Sequence, residues 1–148
     1  MIGSALRAEI QMFYSTASDG RLDREVLARC AAASAKLTRG VRVPAAEEAL
    51  PSLSSLAALV ESSATEQPAS YLAFRALGEY VAAQLGVADG QLDRAEASLD
   101  TIDDIALDPA ELPRIREQLR RYITLFQQLY QEAHRALRRQ PALHVSAA

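Results

Sequence analysis

The sequence predicts an all-α fold: one compact bundle of about six or seven helices, with a duplicated helix–turn–helix and a long C-terminal helix. Three observations predict it. Hydrophobic residues make up 49% of the 148 residues, yet much of that share is alanine, aromatics are 5% and tryptophan is absent. Alanine and leucine favour helix, and the β-branched and aromatic runs that favour strands are scarce. Second, apolar residues recur at spacings of three and four, the helical period. Third, the turn Asp-Gly-x-Leu-Asp-Arg occurs twice, seventy residues apart, each time between two amphipathic stretches. The length suits a single domain over 1–140, with a disordered tail over 141–148.

The first helix is expected from Ser4, a good N-cap, to about Ala17, with Leu6, Ile10, Phe13 and Ala17 on its apolar face. Asp19-Gly20 breaks it. Asp23 then caps a second helix with Val26, Leu27, Cys30, Ala33 and Leu37 inward, and Gly40 is placed to end it. Ala45 to Leu50 reads as a short helix, and Pro51 suits the first turn of another reaching Val60. Ser62 to Gln67 is polar and reads as a linker. Pro68 opens a helix with Tyr71, Phe74, Leu77, Gly78, Val81 and Leu85 on one face, where Gly78 invites close approach by another helix. Asp89-Gly90 ends it. Asp93 caps a further helix with Leu99, Ile102 and Ile105 inward.

Asp108-Pro109-Ala110-Glu111 reads as a capping-box-like start to the last helix, and Pro113 just inside can kink its first turn. Beyond it Ile115, Leu119, Tyr122, Phe126, Leu129, Ala133 and Leu137 alternate at four and three, the strongest periodicity in the chain. A helix over 113–139 is about 40 Å long, so it must bend, overhang or pack on a second copy. Its Ile115–Leu137 seam suits a homodimer.

Composition narrows the function. No apolar stretch reaches the roughly 18 residues that a membrane span needs, and the N-terminus, with Arg7 and Glu9, does not read as a signal peptide. The single cysteine, Cys30, has no internal disulfide partner, which fits a cytoplasmic location. No nucleophile–base set, zinc spacing or phosphate-binding glycine loop is present, so no enzyme activity is expected. His134 and His144 are expected in solvent, and Cys30 in the core. Charge is uneven: 89–111 holds eight carboxylates and one arginine, whereas 114–139 holds seven arginines and two glutamates. Either these segments neutralise each other or they form separate acidic and basic surfaces.

The two turns, Asp19-Gly20-Arg21-Leu22-Asp23-Arg24 and Asp89-Gly90-Gln91-Leu92-Asp93-Arg94, match at five of six positions. Glycine permits the turn, leucine plugs the core and the second aspartate caps the next helix. With Thr16-Ala17-Ser18-Asp19-Gly20 and Gly86-Val87-Ala88-Asp89-Gly90, the chain resembles the TerB-like (tellurite-resistance) family, including the N-terminal domain of the DjlA type of co-chaperone. Glu66-Gln67-Pro68 through Val81 and Ile105-Ala106-Leu107-Asp108-Pro109-Ala110-Glu111-Leu112 extend the likeness over roughly 5–112. The resemblance implies a helical fold, acidic clusters suspected of ion binding, and a scaffold or adaptor role in a bacterial stress response. This chain has few acids near its first turn, and its arginine-rich extension after residue 112 has no family counterpart.

An EF-hand register puts Asp89, Gly90, Asp93 and Glu96 at positions five, six, nine and twelve, but Leu85 and Val87 then fall where oxygen ligands are needed. The turns are therefore either caps alone or a weak site for calcium or another divalent cation, built from Asp89, Asp93 and Glu96 with Asp19 and Asp23. Arg114, Arg120, Arg121, Arg135, Arg138 and Arg139 form a basic stripe suited to a protein partner. Overall acidity and the absence of interleaved aromatics argue against nucleic acid. The alternative to an adaptor is a dimeric regulator or effector-type protein that binds its partner through this helix.

Overall fold

The computed structural model describes residues 2–18, 23–43, 50–66, 68–85, 97, 100 and 108–139, and the side chains of all of these except 2–5, 16–18, 138 and 139. Among the described residues there are five helices and no strand. They are α1 (Ile2–Ser18), α2 (Arg24–Thr38), α3 (Pro51–Glu66), α4 (Pro68–Gln84) and α5 (Leu112–Arg139). The all-α class holds. The expected short helix over 45–50 and most of the helix after Asp93 lie outside the described residues, although Ala97 and Asp100 are helical.

α2 begins where the sequence places it. The Asp23 carboxylate accepts from the backbone N–H groups of Glu25 at 2.9 Å and Val26 at 3.4 Å. It ends on Gly40, at φ +80°, whose N–H donates to the Leu37 carbonyl at 3.0 Å while Val41 N–H donates to Lys36 at 2.8 Å. That pair is a Schellman closure, which requires the left-handed residue glycine supplies. Ser4 falls inside α1, which starts at Ile2, so it does not cap that helix.

Two expected boundaries move. α3 continues through the polar stretch read as a linker. Its Ser63 faces the core at 2% exposure, and Thr65 Oγ1 donates to the Glu61 carbonyl at 3.3 Å. Thr65 satisfies itself on the preceding turn, and Ser63 is small enough to pack inward although its Oγ has no hydrogen-bond partner among the described residues, so polarity alone does not end a helix. α5 starts later than its capping box. Asp108 accepts from Ala110 N–H at 3.0 Å and its carbonyl from Glu111 N–H at 2.9 Å, which makes a turn of Asp108–Glu111, with Leu112 as the first helical residue. Pro113 then sits in the first turn, where a missing N–H costs no helical bond.

α5 is the spine of the bundle and touches each of the other four helices. Ile115, Leu119, Tyr122, Phe126 and Leu129 are each at most 2% exposed, and Tyr130 is 5% exposed. Phe126 meets Phe13 of α1 edge-on at 5.5 Å between ring centroids, and Tyr122 stacks on Phe74 of α4 at 4.6 Å. The face that suggested a homodimer seam is thus filled by the chain's own helices, leaving only Ala133 and Leu137 half-buried at its end. Glu132, further along α5, caps α3: its carboxylate accepts from Ser52 Oγ at 2.8 Å and Ser52 N–H at 3.2 Å. Leu50, just before that helix, has no side-chain acceptor, so the cap comes from a distant element.

α2 and α4 pack by another route. A Cβ built on Gly78 would lie 3.1 Å from the Ala35 nitrogen, 3.2 Å from its Cα and 3.2 Å from Ser34 Oγ. The close approach expected at Gly78 is present, and α2 meets it with Ser34 and Ala35, both buried.

Candidate functional site

Of the five acids proposed as cation ligands, Asp23 is described, while Asp19, Asp89, Asp93 and Glu96 lie outside the described residues. Asp23 is exposed and spends Oδ1 on the α2 cap, and its own N–H donates to Tyr130 Oη at 2.5 Å. α5 therefore pins the entry to α2. Among the described residues no group of three or more His, Cys, Asp or Glu side chains is placed to hold a metal.

The arginines divide by what they meet. Arg116 donates Nε and Nη2 to Glu9 Oε1 at 3.0 and 2.8 Å, and Arg120 donates Nη2 to the same oxygen at 3.2 Å. Glu9, on α1, is 15% exposed in its side chain, against 38% for Arg116 and 65% for Arg120. Its other oxygen, Oε2, is buried with no hydrogen-bond partner among the described residues. Arg7 pairs with Asp100 at 2.8 Å. At these positions the acidic segment meets α1, and α5 finds its counter-charge on α1 as well.

Arg114 and Arg121 are exposed and, among the described residues, have no carboxylate at ion-pair distance. Arg135 is exposed and donates Nε to the Gln131 carbonyl at 3.3 Å. The side chains of Arg138 and Arg139 lie outside the described set. Positions 114, 117, 121, 124, 128, 131 and 135, spaced by threes and fours, are all exposed. They form a polar stripe about 30 Å long opposite the core face.

Glu9 is the participant the sequence reading missed. It lies three residues after Leu6 and four before Phe13, at the edge of the apolar stripe, and that register was the available signal. His134 departs from its expected solvent position: it is half-buried and stacks on Tyr130 at 5.8 Å. Cys30 is buried as expected, and burial pushes its thiol up to about 12, so the thiolate needed for nucleophilic chemistry is scarce at neutral pH. No described helix is long and apolar enough to cross a membrane. Compared with known proteins, the chain matches no family model, no curated protein and no solved structure.

Proposed function

We propose that the chain is a non-enzymatic, TerB-like scaffold or adaptor of a bacterial stress response, with a weak divalent-cation site on its second Asp-Gly turn. The observation that supports the adaptor role is the two-sidedness of α5. Its apolar face is consumed by the core, while the opposite stripe carries Arg114, Arg121 and Arg135 outward. Arg114 and Arg121 have no carboxylate at ion-pair distance among the described residues, so their charge is available to steer encounter with an acidic protein surface and to fix its register. The fixed backbone of α5 suits a binding face.

The test uses the full chain as bait in extract of its native host, beside the triple variant Arg114→Glu/Arg121→Glu/Arg135→Glu. A specific partner retained by the parent chain and lost by the variant supports the proposal. Equal capture by both, or none by either, refutes it. The cation site is read separately, as a rise in melting temperature at millimolar calcium that Asp89→Asn with Asp93→Asn removes.

A further inference from the structure

Between α1 and α5 runs a groove of about 510 Å³ that the core does not use. Its α5 wall is Arg116, Arg120, Ile123 and Gln127, and Met12 and Phe13 form the opposite wall on α1. Positions 116 to 127 span about 16 Å along the helix axis, or three turns. Met12 is 68% exposed, one of two large apolar side chains so exposed among the described residues, and Ile123 beside it is half-buried. The groove has a direction. Glu9 lies opposite Arg116 and Arg120, and Phe13 opposite Phe126, so the cationic end and the apolar end are separated along α5.

We propose that this groove docks an amphipathic helix of a protein partner, one that carries acidic residues about one turn before its apolar anchors. The proposal rests on the adaptor reading and gives the partner a chemistry. Charge complementarity decides the occupant. Two guanidiniums share one oxygen of Glu9, so the cluster carries a net positive charge, and Arg120 keeps donors that Glu9 does not engage. A carboxylate on the partner takes those donors, and an apolar side chain one or two turns on covers Met12 and Ile123. Three turns of groove suit anchors at i, i+4 and i+7, the usual register of a helix laid into a groove. A basic helix meets like charge at the same end.

The probe is a fluorescein-labelled designed helix of about four turns, with three leucines spaced four and three and two glutamates one turn before the first leucine. Its control replaces both glutamates with lysine. Fluorescence anisotropy with the full chain should show the acidic peptide binding about tenfold more tightly than the control. Met12→Glu and Arg120→Gln should each weaken it about five- to tenfold, with melting temperatures unchanged because both side chains are mostly exposed. Lys36→Gln, exposed on α2 and outside the groove, should bind as the parent does. Equal binding of the two peptides, no binding of either, or a Met12→Glu variant that binds normally overturns the proposal. If the groove fails while the triple arginine variant still loses its host partner, the adaptor reading survives without the groove. If neither assay responds, both readings fall.

Discussion

α5 and the α2–α4 seam fill one core by opposite means. α5 contributes Ile115, Leu119, Tyr122, Phe126 and Leu129, large side chains inserted between its neighbours. The seam is built from absence of bulk: Gly78 on α4 faces Ser34 and Ala35 on α2, closely enough that backbone replaces side chain as the contact surface. The two modes should fail differently. Large side chains can be trimmed at a cost that scales with the cavity left. A seam of backbone contacts tolerates nothing added, because the atoms that would have to move belong to the helices themselves.

The largest effect should come from removing α5. Truncation after Leu112 takes away the spine and six buried side chains, together with the Glu132 cap on α3 and the Tyr130 tether on Asp23. The remaining chain should lose its cooperative thermal transition and most of its helical circular dichroism. A milder form is Phe126→Ala, expected to cost about 3–5 kcal/mol, a large share of the roughly 5–15 kcal/mol typical of a domain. Retention of a sharp melt by the truncated chain would mean that α1–α4 form an independent core. Because α5 is integral, its contribution to partner binding is better measured by surface substitution than by deletion.

Gly78→Ala sharpens the comparison from the other side. Alanine in a helix interior gains about 1 kcal/mol over glycine in propensity. The added methyl, however, would sit 3.1–3.2 Å from the Ala35 backbone, whose atoms cannot rotate away. Overpacking of this kind costs about 1–3 kcal/mol, so a net loss of about 1 kcal/mol is expected, read as a fall of a few degrees in melting temperature. A rise would show that α2 and α4 can part without penalty, and that the seam is not the rigid element its geometry describes.

The same contrast explains what could be read before the structure. α5 announced itself through six large apolar residues and an alanine at alternating spacings, and its buried face matches that pattern closely. α2 was legible only in part: Val26, Leu27 and Cys30 are buried as expected and Ala33 and Leu37 only half-buried, whereas Ala31, Ser34, Ala35 and Thr38 are buried although alanine and serine mark no face in an alanine-rich chain. Gly78 was the one legible sign of their seam. α3 ran past its expected end because Ser63 and Thr65 read as linker, whereas Thr65 bonds the preceding turn and Ser63 packs inward. At the candidate site Asp23 was legible as a cap, since Ncap chemistry is local. Glu9 was not, because its role depends on Arg116 and Arg120, more than a hundred residues away. The basic stripe was legible in composition only. Which arginines are spent internally and which face outward is a matter of helix rotation, fixed by the core.

The smallest effect expected has the opposite sign from the others. Packing with large side chains brings polar atoms into the core, and Tyr122 is the case in point. Its ring is fully buried and stacked on Phe74 at an interplanar angle of 8°, while its Oη has no hydrogen-bond partner among the described residues. Burial also pushes the phenol's pKa upward, so it stays neutral and adds no charge cost across the ordinary pH range. An unpaired buried hydroxyl costs about 1–3 kcal/mol, whereas the ring and its stacking do not need the oxygen. Tyr122→Phe should therefore leave the fold intact and raise stability by up to about 1 kcal/mol, after allowance for the small void left behind. Urea denaturation resolves a change of that size as a shift in midpoint at constant slope. A loss of stability would mean that the hydroxyl is satisfied by a buried water, which a domain of this size commonly holds. The core of α5 would then be a packed surface with a wet point.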